Sequence, residues 1–196
     1  GEYLLAVLSE TGHLEIPKKQ EDEILELGIG IMSQIMDAST LEKEKLELEA
    51  LIKEYLMKPN DATSLKLEKK LNFMSLAALN EDLALIILKG DGFRPITEFG
   101  KKLKDVKEYK SNLVTSTIRF FENLSKVRKN NNGLKDLFNQ KKIPFSYFSI
   151  INGLLEVSED VNQTLSCMKS LENLLAERIT ESKALRKVSA RSSLVQ

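Results

Sequence analysis

His13 and Cys167 are the only imidazole and the only thiol in this chain of 196 residues. A zinc site needs three or four such ligands brought together. A cysteine nucleophile needs a base beside it, and the only imidazole lies in a Gly- and Pro-flanked stretch far from Cys167 in sequence. No Glu-x-x-His pair occurs, which removes the ferritin-like di-iron bundle. Gly28-Ile29-Gly30 opens like a phosphate loop but has neither the third glycine nor a preceding strand. Gly100-Lys101-Lys102 ends in Lys where a phosphate loop needs Ser or Thr. Asn123-Leu124-Ser125 and Asn162-Gln163-Thr164 match the glycosylation acceptor pattern, yet both fall inside helical periodicity and read as chance. Carboxylates are plentiful, but no histidine, metal cluster or cofactor motif accompanies them. The expectation is a protein that is not an enzyme, with no catalytic, cofactor-binding or metal-binding residue and no cofactor.

Two charge features remain. Residues 20–57 carry ten acidic side chains against three lysines, and residues 100–143 carry twelve basic side chains against four acidic ones. These are local charges of about −7 and +8 in a chain whose formal net charge is zero. The basic set includes Lys101, Lys102, Lys104, Lys107, Lys110, Lys126, Arg128, Lys129, Lys141 and Lys142. It suits a face that attracts an acidic partner or a peripheral anionic membrane, or that packs on the acidic segment. The zero net charge argues against nucleic acid. Near the end, Arg186-Lys187-Val188-Ser189 has basic residues upstream of a serine, the context a basophilic kinase prefers, so Ser189 is a candidate phosphosite.

These side chains need helices to hold them. Hydrophobic residues make up 42% of the chain and charged residues 30%, with few Gly and Pro and no Trp. Leu, Glu and Lys dominate, and all three favour helix. The clearest apolar stripe is Ile96, Phe99, Leu103, Val106, Lys110, Leu113, Thr117, Phe120, Leu124, Val127, stepping by three and four with two polar members. Comparable stripes predict a short helix over 3–8 and a long stretch over 20–57, divided near Asp37, where Ser39 and Glu42 have capping-box spacing. Helices over 63–89 and 95–129 follow, then a short one over 134–140. A last helix over 145–188 carries Ile151, Leu154, Val161, Leu165, Met168, Leu171, Leu175 and Ile179 on one side. Between Leu71 and Leu88 the chain is apolar nearly all round, which predicts the most buried helix there. Period-two alternation never persists, so strands are not expected.

The fold class expected is all-α: an elongated antiparallel bundle of about four long helices plus short N-terminal and connecting helices. One domain would span 1–188, with 189–196 a flexible tail. The longest apolar run, residues 83–88, is far short of the roughly 20 residues needed to cross a bilayer, so no transmembrane segment is expected. A lone cysteine and no legible secretory signal predict a cytoplasmic setting. The function expected is a non-enzymatic protein–protein interaction domain, as a scaffold, an adaptor or by self-association. The alternative is a membrane-surface binding or remodelling domain using the basic face between 101 and 142.

Overall fold

The computed structural model describes residues 23, 27, 28, 30, 31, 36–89, 93–106, 111–140 and 143–192, with 93, 104, 140, 143–146 and 177–192 as backbone only. The fold is all-α: 88% of the described residues are helical and none is in a strand. Among the described residues from 38 on there are eight helices: α1 Ala38–Met57, α2 Asp61–Ala77, α3 Glu81–Leu88, α4 Phe93–Lys102, α5 Ser111–Asn130, α6 Asn132–Gln140, α7 Ile143–Glu156 and α8 Val161–Ser192. A 3-10 turn, Leu103–Asp105, follows α4. The expected helix over 3–8, His13 and the proline at 17 lie outside the described residues.

The 20–57 stretch divides at Asp37 as expected, and the other long helices read from the stripes are shorter than expected, two of them because of capping. A helix starts where a side-chain oxygen satisfies amides that have no intrahelical acceptor. Asp37 accepts from the Thr40 amide at 2.7 Å and starts α1, the role expected of Ser39. Asn60 accepts from Thr63 at 2.9 Å and starts α2. Asn80 accepts from the amides of Asp82 and Leu83 at 3.0 and 3.1 Å, which divides the expected 63–89 helix in two. Glu81 and Asp82 then place negative charge in the first turn of α3, where the helix dipole favours it. Asn131 starts α6 by accepting from Leu134 at 2.9 Å. Asp160 accepts from Gln163 at 2.9 Å and divides the expected 145–188 helix. The 95–129 stretch breaks at Val106, whose backbone is extended.

Helix α5 is central. It lies against α2 on one side and α8 on another, and also touches α3, α6 and α7. Eleven of its 20 residues are buried, more than in any other described helix. The Leu71–Leu88 stretch contributes Leu71, Met74, Ala77, Ala78, Ala84, Ile87 and Leu88 to the same core, but Leu79 is only half-buried, so α5 takes the place expected for that stretch. Phe121 meets Phe120 and Tyr147 edge-on, each with centroids 5.3 Å apart. The buried Tyr147 hydroxyl donates to the Phe121 carbonyl, tying α7 to α5. On the other side, Tyr55 of α1 meets Phe99 of α4 edge-on at 6.1 Å. The apolar stripe from Ile96 to Val127 is buried along its described length apart from the half-buried Val106, with Thr117 satisfied by donating to the Leu113 carbonyl at 2.7 Å.

The acidic helix α1 does not lie along α5. Helix α2 stands between them, and its Lys70 binds both Glu44 and Glu47 of α1. The charge of the acidic segment is thus met by a lysine outside the 100–143 segment, although α1 does touch the start of that segment through α4.

Candidate interaction surface on the last helix

The described residues of α8 that are buried are Gln163, Cys167, Ser170 and Leu174, a run of four, three and four. Three of the four are polar or small. The apolar residues of the first turns, Val161, Leu165 and Met168, lie on the other side and are 73%, 51% and 54% exposed. An amphipathic helix ordinarily buries its apolar stripe. Here the stripe faces outward, opposite to the expectation for Val161, Leu165 and Met168.

Hydrogen bonding sets this rotation. Gln163 is the third residue of α8. Its amide nitrogen donates to Thr115 Oγ1 at 2.9 Å and to Ser111 Oγ at 3.1 Å, both on α5. Its side-chain oxygen accepts from the Glu159 amide at 2.7 Å. With Asp160 bonding back to the Gln163 amide, this is a capping box displaced by one residue. Nearly three turns further along, Asn173 donates to Ser125 of α5 at 3.3 Å. Small hydroxyl residues on α5 let the two helices approach while the side-chain amides of Gln163 and Asn173 are bonded. Unbonded, each would cost about 1–3 kcal/mol to bury. Leu171 packs against the core, while Val161, Leu165 and Met168 stay exposed.

The stripe is long. Val161, Leu165, Met168, Glu172, Leu175 and Ile179 succeed one another by four, three, four, three and four residues, the seam spacing of a coiled coil. Leu175 is half-buried and Glu172 is exposed; Ile179 shares the register on the continuing helix backbone. Lys169, exposed, borders the seam.

Cys167, on the inward face, is fully buried, and that burial pushes its thiol up to about 11. Such a thiol is protonated at neutral pH and a poor nucleophile. Among the described residues, no group of three or more His, Cys, Asp or Glu side chains is arranged to hold a metal ion.

A concavity lies between α1 and α4. This open groove of about 820 Å³ has Ile52, Leu56 and Pro95 among its apolar lining, with exposed Leu46 and Met57, and charges of both signs around them. Lys45 stands in its wall with its amine buried. It pairs with Glu42 at 2.9 Å and donates to the carbonyls of Ile86 and Lys89 at 3.2 and 3.5 Å. A cation there complements the negative end of the α3 dipole, so Lys45 holds α1 to α3.

The candidate basic residues do not share one described face. Lys101 is half-buried and Lys102 exposed at the end of α4, and Lys102 also borders the groove. Lys104 lies in the 3-10 turn. Lys126 and Lys129 are exposed on α5. Arg128 is a correction: it is buried, with its guanidinium 5.4 Å from the Phe138 ring centroid. Its long stem suits that apolar setting, and the ring face attracts the cation. Lys107, Lys110, Lys141 and Lys142 lie outside the described residues. Ser189 lies within α8, which runs four residues past the expected end at Val188. No Gly or Pro after Gly153 interrupts it, and basic residues near its C-terminal end suit the helix dipole.

Comparison with protein-family models, with curated proteins and with solved structures finds no match. No helix among the described residues is long and apolar enough to cross a membrane.

Proposed function

We propose that this domain is a non-enzymatic protein–protein interaction module that docks a partner helix on the outward seam of α8. One observation carries this: α8 turns Gln163, Cys167 and Ser170 to its own core and Val161, Leu165 and Met168 to solvent. Burying that seam under a partner would recover roughly 25 cal/mol for each Å² of apolar surface removed from water. A helix with matching period supplies the complementary knobs. The test is quantitative cross-linking capture with the wild-type chain, with Leu165→Asp/Met168→Asp, and with Leu65→Asp as an exposed apolar control on α2. Loss of the captured species in the α8 variant alone supports the module. Capture unaffected by the α8 variant removes the seam as its docking surface. A membrane-surface role would instead rest on Lys102, Lys126 and Lys129, and its signature is salt-sensitive co-sedimentation with anionic vesicles.

A further inference from the structure

We infer that the seam of α8 is covered by the same seam of a second copy of this chain, running antiparallel about a two-fold axis near position 170, an inference that rests on the docking role proposed above. The seam has its own polar member, and that residue selects the partner. Glu172 occupies a position where knobs-into-holes packing otherwise places an apolar side chain. In a parallel pair, Glu172 of one copy would meet Glu172 of the other in a single layer, with like charges opposed. In an antiparallel pair centred near 170, the described layers become Leu165 with Leu175 and Met168 with Glu172, each repeated by symmetry. Lys169, exposed beside the seam, then comes level with Glu172 of the second copy, displaced along the axis by about one residue, or about 1.5 Å.

The charge complementarity is thus internal to this helix. A two-fold interface uses one patch twice, so Lys169 and Glu172 supply two reciprocal ion pairs. A foreign helix would have to bring its own cation to the same level. The second copy has it by construction. The same seam rhythm on both sides also satisfies the packing requirement without any further element.

Sedimentation equilibrium of the full chain over a range of concentrations tests this. The wild type is expected to reach a particle of twice the 22.2 kDa chain mass. Met168→Glu should weaken the pair at least tenfold. Lys169→Glu and Glu172→Lys should each weaken it roughly fivefold, an effect of two exposed ion pairs, and the double exchange Lys169→Glu/Glu172→Lys should restore it. Each of these side chains is exposed, so circular dichroism and the melting temperature of the dilute monomer should stay at wild-type values. A wild type that stays monomeric overturns the second copy as occupant, while loss of capture in Leu165→Asp/Met168→Asp would still identify the seam as a docking surface for another protein. A dimer indifferent to Met168→Glu also overturns it. A dimer that the double exchange fails to restore overturns the antiparallel pairing.

Discussion

The side-chain amide of Gln163 donates to the Thr115 hydroxyl at 2.9 Å, and this contact between α8 and α5 fixes which side of α8 meets the core. Gln163 also bonds Ser111 and the Glu159 amide. Gln163→Ala should therefore lower stability by about 1–3 kcal/mol, read from chemical denaturation, because three α5 and cap groups lose a partner at once. A change below about 0.5 kcal/mol would mean that packing alone orients α8.

At Gly100, α4 packs tightly against Ile150 of α7. A Cβ built there would lie 2.7 Å from Ile150 Cγ2 and 3.3 Å from Phe121 Cε2. The Ile150 methyl is branched at Cβ and cannot swing aside in a helix. Gly100→Ala should thus destabilise by about 1–3 kcal/mol, against the gain of up to about 1 kcal/mol that the exchange gives in an open helix. In the Ile150→Ala background the same exchange should cost less, and a double-mutant cycle measures the coupling.

The sequence made the helical class legible because period is a local property. Ile96, Phe99, Leu103, Leu113, Phe120 and Leu124 are all buried, as their spacing requires. Continuity was not legible. Asn80 and Asp160 sit among residues that keep the helical period, so nothing in that period distinguishes a cap from a polar face position. The surface on α8 was half legible. Val161, Leu165 and Met168 share one side as their spacing implies, but periodicity says only that they share it, not that it faces inward. What reverses the orientation is a set of hydroxyls and amides on two helices 48 and 52 residues apart, Thr115 with Gln163, Ser125 with Asn173 and Ser111 with Gln163, which no stripe reveals. Arg128 was misplaced for a related reason, since charge alone does not show that an aromatic ring such as Phe138 covers it.

Alkaline pH should weaken the fold before neutral or mildly acid pH does. Burial raises the Cys167 thiol to about 11 from an ordinary value near 9. A raised group of this kind contributes stability that is complete below about pH 9 and is lost as pH climbs towards 11, because the unfolded chain releases its proton first. Burial also raises the Tyr55 and Tyr147 phenols, which extends the loss above pH 10. Denaturation midpoints from pH 8 to 11 should fall for the wild type and fall less steeply for Cys167→Ala. Equal slopes would contradict the burial of the thiol.

Lys70 should govern the acid side of the α1–α2 contact. Burial disfavours its charge, but hydrogen bonds and attraction from Glu44 and Glu47 outweigh that and raise its pKa. The hydrogen bond from Lys70, followed by its charge, holds Glu47 below the ordinary carboxylate range. A lowered carboxylate contributes stability that is present above its unfolded pKa and is lost as pH falls through the folded one. Lys70→Ala should therefore flatten the dependence of the melting temperature on pH below about 5. An unchanged acid profile would show that the ion pairs do not persist in solution.

Thiol labelling compares the two sides of α8 directly. The native Cys167 should react with a maleimide only on global or local opening, so its labelling should be slow and should speed up with denaturant. In a Cys167→Ala background, Leu165→Cys should label at nearly the rate of an unfolded thiol in dilute protein. A Cys167 that labels as fast as the thiol at 165, or a protected thiol at 165 in the dilute monomer, would contradict the outward placement of the seam on which the proposed interaction rests.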